Sequence, residues 1–198
     1  MSKVVSNLLK GKKGIEIGAS SWNSFKLDAL NIDIPNRQMW KNYSVERGLL
    51  PAKVDIEADA ANIPLENASQ EFVFSSHMLE HHVNPIAALR EWYRILCTGG
   101  IMVAIIPLRN ASSDDVGKPL TNISEFVHRY TNPEMYSNVS PANHQTVWTT
   151  QTFKELIEYG NGSKLWSFTE VLILEKDDQV GNGFLVAFSK EDESCGAL

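Results

Sequence analysis

Long apolar runs, clustered cysteines and stretches of positive charge are all missing from this 198-residue chain. The longest apolar run, Ile101 to Leu108, is far too short to span a bilayer, and the N-terminal Met-Ser-Lys-Val-Val-Ser-Asn-Leu-Leu-Lys lacks the apolar core of a signal peptide. The expected location is therefore cytoplasmic, with no membrane partner. The two cysteines, Cys97 and Cys195, stand far apart at no metal-binding spacing and read as free thiols. No run of Lys or Arg exceeds Lys12-Lys13 and the net charge is -6, so the broad basic footprint of a nucleic-acid binder is absent. Small-molecule chemistry is the default that remains. The length suits a single domain, residues 1–198, with one sizeable core.

What is present is organised around residues 13–34. Gly14 to Ile17 reads as a short strand, Gly18 to Ser21 as a small-residue turn, Asn23 to Ala29 as a helical piece, and the next strand ends at Asp33. A parallel strand that runs into a turn of Gly, Ala and Ser lets a ligand approach the backbone closely, because the side chains there are too small to block it. Asp33 falls where an α/β nucleotide site places an acid to accept hydrogen bonds from both ribose hydroxyls. The turn is thus a seat for a cofactor.

Elsewhere strands alternate with helices. A short amphipathic helix is expected over residues 3–10, and a loop holding a short helix over 35–52. Further strands are expected at Lys53 to Ala58, Glu71 to Ser76 and Ile101 to Ile106. Asn84-Pro85 opens a helix whose apolar face is Ile86, Leu89, Trp92, Tyr93 and Leu96, and Gly99-Gly100 stops it. Trp92 and Tyr93 read as core. Residues 108–148, rich in Asn, Ser, Pro and Asp, break the rhythm; a connection this long in a compact domain is usually functional. Asp114-Asp115 within it reads as a solvated loop. Thr150 is expected to cap a final helix, and Leu165 to Leu174 and Gly183 to Ser189 to form an antiparallel hairpin. The fold class is α/β: a doubly wound, mostly parallel, seven-stranded Rossmann-like sheet with a C-terminal antiparallel hairpin.

Four segments resemble the class I S-adenosylmethionine-dependent methyltransferases, in particular the methyltransferase type 11 group. They are Gly14-Ile-Glu-Ile-Gly-Ala-Ser, Asn31-Ile-Asp33, Glu57-Ala-Asp-Ala-Ala-Asn-Ile-Pro, and Phe72-Val-Phe-Ser-Ser-His-Met-Leu-Glu-His, the last followed by Arg94-Ile-Leu-Cys-Thr-Gly-Gly. The resemblance implies S-adenosylmethionine as cofactor. It implies that Gly18 and Ala19 admit the methionine portion, that Glu16 orders the turn, and that Asp33 binds the ribose. Asp59, with Ala60 behind it, would meet the adenine, and Ser76 and His77 would flank the methionine end. Where the family turn usually has further glycines, this chain has Ser20 and Trp22. That departure favours a cofactor without phosphates over a dinucleotide, whose pyrophosphate draws on several backbone N–H groups.

The implied activity is methyl transfer to a small-molecule or sugar-containing acceptor, at oxygen, with residues 108–148 covering the acceptor. A non-catalytic protein that keeps the cofactor fold, and an NAD-dependent oxidoreductase, are the alternatives. A hydroxyl acceptor calls for a general base. His144 is the first candidate, followed by His128, His77 and Tyr130; a histidine that only bonds a loop backbone is the plainer alternative. Trp22 either packs under the cofactor turn or lines the site. Glu80, His81 and His82 resemble a metal cluster, but adjacent histidines point differently and no spaced third ligand follows, so no metal is expected.

Overall fold

The computed structural model describes residues 2–19, 25–35, 42, 45, 46, 48 and 50–191. Helix α1 (Lys3–Leu9) leads into β1 (Gly14–Ile17), β2 (Ala29–Asp33), β3 (Ile56–Glu57) and β4 (Gln70–Ser76). Helix α2 (Pro85–Ile95), β5 (Leu96–Pro107), α3 (Ile123–Thr131), α4 (Thr150–Gly162), β6 (Phe168–Leu174) and β7 (Gly183–Lys190) complete the series. The seven strands form one sheet in the order β3-β2-β1-β4-β5-β7-β6. All pairs through β5 are parallel, and β7 lies antiparallel between β5 and β6. The α/β reading and its antiparallel C-terminal hairpin are therefore correct.

The period of two along β5 divides the core. Met102, Ala104 and Ile106 join Ile15, Ile17, Ile32 and Val73 beneath α2, α3 and α4. Val103 and Ile105 point the other way, with Phe72, Phe74, Leu185 and Ala187, onto Val5 and Leu9 of α1 and onto Phe25. Helix α2 begins where the sequence places it: Asn84 Oδ1 accepts from Ala87 N at 3.1 Å, and Pro85, which has no N–H to satisfy, occupies the first turn. Trp92 is fully buried and donates its indole N–H to Ala60 O at 3.1 Å, and Tyr93 is buried beside Phe168, so both are core residues.

Several expectations are corrected. The strand expected over 53–58 contracts to Ile56–Glu57: Asp55 N still donates to Asn31 O, but Asn31 N is taken by the Asp55 carboxylate rather than by a backbone carbonyl. Residues 25–28 are not helical, and Lys26 has φ +51°; Ser20, Trp22 and the rest of that expected helix lie outside the described residues, as do most of 36–49 and Cys195. The insertion is not wholly irregular. It contains α3, capped by Asn122 Oδ1, which accepts from Glu125 N at 3.0 Å. Helix α4 is capped by Thr149 rather than Thr150, in a reciprocal pair with Thr152. Leu165 to Ser167 precede β6 instead of belonging to it, because the chain turns back to bury Trp166 against α4. Among the described residues no helix is long and apolar enough to cross a membrane.

Gly160 and Gly162 offer an internal comparison. A Cβ on Gly160 would lie 1.9 Å from the Trp166 ring, whereas one on Gly162 would meet nothing within 4 Å. Gly160→Ala is expected to destabilise the protein by about 1–3 kcal/mol by overpacking. Gly162→Ala is expected to be neutral or to stabilise by about 0.5–1 kcal/mol through helix propensity. Paired thermal melts check both.

Candidate functional site

The C-terminal ends of β1, β2 and β4 face a cavity of about 680 Å³, within the range of small-molecule sites. Glu16, Gly18, Ala19, Asp33, Asp59, Ala60, Ser76 and His77 all line it, and His144 joins them from the insertion. The structure thus gathers around one cavity residues that the sequence spreads over more than half the chain. Pro133, Tyr136, Val139, Pro141 and Gln145 of the insertion line the same cavity. Tyr136 carried no sequence signal that set it apart. His128 and Tyr130 do not line it. His128 Nδ1 pairs with the Tyr136 hydroxyl at 2.8 Å, and the Tyr130 hydroxyl accepts from Arg90, so neither is placed as a base.

The turn after β1 is shaped by close packing. Gly18 has φ +79°, and a Cβ there would lie 2.5 Å from Met78 Cγ, so the position requires glycine. Its N–H donates to Ile32 O at 2.9 Å, which ties the turn to β2. At the end of β2, Asp33 is 6% exposed and its Oδ1 accepts from Ile34 N at 2.8 Å. Asp59 is more exposed: it accepts from Ala61 N at 2.7 Å and meets His82 Nε2 at 3.2 Å, and the His82 contact holds its carboxyl below the usual range. Asp59 therefore caps a turn and also lines the cavity. Glu16 is buried, and burial raises its carboxyl to about pKa 7; Oε2 has no hydrogen-bond partner among the described residues. A buried carboxylate left without a partner is aimed at something cationic or protic. The glycine seat and this acid fit a cofactor with a close-lying backbone contact and positive groups, and no phosphate.

The far wall is built around Glu80, on a 3₁₀ turn at Leu79–His81 that follows β4. His77, just before it, has φ +50° and donates its N–H to Ile105 O, which bends the chain off the strand. The Glu80 carbonyl accepts from Gln145 N at 2.7 Å and Thr146 N at 3.2 Å. These bonds draw the end of the insertion onto the turn and bring His144 to the Glu80 side chain. His144 Nδ1 lies 2.9 Å from Asp115 Oδ1, and its Nε2 lies 3.8 Å from Glu80 Oε1. His77 Nδ1 and His81 Nε2 stand 3.7 and 3.8 Å from the same oxygen. Burial raises Glu80 to about pKa 8 and depresses the imidazole of His77.

Two expectations change here. Asp115 is 2% exposed and paired with His144, not part of a solvated loop. The third partner that Glu80 and His81 lacked in sequence is His144, while His82 turns away to Asp59 as the differing directions of adjacent histidines imply.

The methyltransferase-domain family model matches residues 16–104, from the end of β1 through most of β5. No curated protein matches the chain. Among solved structures, the chain is similar to a SAM-dependent methyltransferase of Methanosarcina mazei at 15% identity, covering 98% of this chain and 99% of that one with a TM-score of 0.58. It is also similar to a SAM-dependent methyltransferase of Thermotoga maritima, at 21% identity over 95% and 86% of the two chains with a TM-score of 0.56. A SAM-dependent methyltransferase of Aquifex aeolicus aligns at 15% identity over 94% and 87%, with a TM-score of 0.57. The likeness to these structures establishes the fold, and the matched segment carries the turn after β1, both strand-end acids and the Glu80 turn. Residues 16–104 therefore match a methyltransferase domain, within a chain that has the fold of solved SAM-dependent methyltransferases.

Proposed function

We propose that this enzyme methylates an oxygen of a small-molecule or sugar-containing acceptor, seated at the His144 end of the cavity. The observation that carries the reading is the buried Asp115–His144 pair on the wall supplied by the insertion. With Nδ1–H donating to Asp115, His144 keeps the Nε2 lone pair directed at the cavity, where it can take the proton of an acceptor hydroxyl. S-adenosylmethionine, when bound, supplies a methyl carbon activated by its sulfonium neighbour. The protein's remaining task is alignment, which is worth several kcal/mol of barrier in a well-oriented site, about 7–11 kcal/mol at the upper end.

In this reading Gly18 and Ala19 hold the methionine portion, Glu16 orders the turn beneath it, and Asp33 accepts from the ribose hydroxyls. Asp59 and Ala60 meet the adenine. Ser76 and His77 flank the methionine end, between the cofactor seat and the Glu80 wall. Residues 108–148 form the acceptor side. The acidic chain, at net charge -6, favours an acceptor that is not a nucleic acid.

Calorimetric titration should show S-adenosylmethionine binding and no preference for NAD, and Asp33→Ala should weaken the former about 10- to 100-fold by removing a charge-assisted hydrogen-bond partner. Binding of NAD alone would overturn the cofactor assignment. His144→Ala should keep cofactor affinity and lose turnover, followed as S-adenosylhomocysteine release over a panel of hydroxylated acceptors; full turnover in that variant would remove the base role.

Glu16 gives a pH signature. Its folded pKa, about 7, stands above the ordinary carboxyl value of 4.5. The associated stability is fully present below pH 4.5 and is lost as pH rises through 7, on the order of 3 kcal/mol. Glu16→Gln should therefore raise the melting temperature at pH 8 and leave it nearly unchanged at pH 4. Cofactor affinity should follow the opposite course in the parent protein, rising between pH 6 and 8 as Glu16 ionises, and lie flat in Glu16→Gln.

A further inference from the structure

We propose that Glu80, His81 and His144 form a binding site for one divalent first-row transition ion, for which zinc is the best-suited candidate. One carboxylate oxygen and one imidazole nitrogen from each histidine lie within 4.8 Å of one another. Glu80 Oε1 is the common point, 3.8 Å from His81 Nε2 and 3.8 Å from His144 Nε2. A tetrahedral zinc site with bonds of about 2.0–2.1 Å sets its donors about 3.3 Å apart, so each imidazole needs to close on the carboxylate by about half an ångström and the two imidazoles on each other by up to about 1.5 Å.

Independent features point the same way. The Glu80 side chain is 1% exposed, and among the described residues neither of its oxygens has a hydrogen-bond partner beyond its own backbone N–H. Carboxylates at such depth are normally held by several donors. Here the groups facing it are imidazoles whose shared partner would be a cation. Asp115 takes the other ring nitrogen of His144 at 2.9 Å, the arrangement that fixes the tautomer and aim of a metal-bound imidazole. Two imidazoles and one carboxylate suit zinc, iron or manganese rather than magnesium or calcium, which prefer oxygen donors throughout.

Position gives the site a use. All three residues line the cavity, so three protein donors leave a coordination position facing the acceptor side, with His77 Nδ1 3.7 Å from Glu80 as a further neighbour. Resting on the oxygen-methylation reading above, an acceptor hydroxyl on that position would give its proton to solvent water more readily. His144 would then act as a ligand, and the ion would replace it in lowering the hydroxyl's hold on its proton.

The test uses the full chain, stripped of metal by a chelator, with zinc added alone in competition with a chromogenic indicator. One equivalent should bind, and Glu80→Gln and His144→Ala should each weaken it at least about tenfold, while His128→Ala leaves it unchanged. Cobalt in place of zinc should give visible d–d bands that both variants lose, with circular dichroism confirming that the variants are folded. Absence of stoichiometric uptake, or uptake unaltered in both folded variants, overturns the proposal. S-adenosylmethionine titrated into the same samples separates the two readings. Zinc uptake without cofactor binding supports the metal site and sinks the methyl-transfer reading. Cofactor binding without zinc uptake does the reverse, and leaves the Asp115–His144 pair as the base.

Discussion

The two backbone hydrogen bonds that Gln145 and Thr146 donate to the Glu80 carbonyl hold the active side of this molecule together. The turn that carries Glu80 follows directly from β4 of the parallel sheet, whereas Gln145 lies near the end of the excursion over residues 108–148. Without that junction His144 would have no fixed relation to the strand ends, and the cavity would have one wall. Neighbouring contacts reinforce it: Thr121 and Val147 exchange hydrogen bonds, Lys118 Nζ donates to His144 O, and Trp148 stacks on Phe126 at 4.5 Å. An irregular segment thereby acquires the rigidity of the sheet it rests on.

The cavity is built from groups that fold poorly by themselves. Glu16 and Glu80 are both acids taken out of water with few or no hydrogen bonds among the described residues, and burial raises both well above ordinary carboxyl values. Desolvation of this kind opposes folding and is tolerated where the surrounding core over-determines the position. That core is substantial: β4, β5 and β7 are buried on both faces over most of their length. The same low polarity strengthens any electrostatic contact a ligand makes there. Stability given up at two side chains is thus recovered as recognition.

The sheet was readable wherever local chemistry and burial agree. Gly14 to Ile17 and the strand ending at Asp33 are legible because apolar residues run to a small turn or an acid, and Asn84-Pro85 announces α2 through a cap and a fixed φ. The strand-end residues that line the cavity follow, since strand ends place them whatever the side-chain details. Helix α3 carried a readable signal in Asn122 with Glu125 and in the spacing of Ile123, Phe126, Val127 and Tyr130, which the polar composition around it obscured. The Asp115–His144 pair and the approach of His144 to Glu80 had no such signal. Twenty-nine residues separate the first pair, and the bonds that create the second are made by backbone atoms, which every residue possesses.

The place of β7 has a consequence for how the protein is made. This last strand is not at the margin of the sheet; it pairs with β5 from Ile101 opposite Ser189 to Pro107 opposite Gly183, and β6 reaches the sheet only through it. Pairings so distant along the chain close slowly, because a long loop must be ordered before any contact rewards it. On the ribosome the N-terminal strands can associate early, but β5 keeps one side open until β7 has emerged. During that interval the apolar edge of β5 is available to other chains. Demand for chaperones during synthesis should therefore centre on the edge that β7 closes, rather than on the part of the chain that carries the cofactor turn.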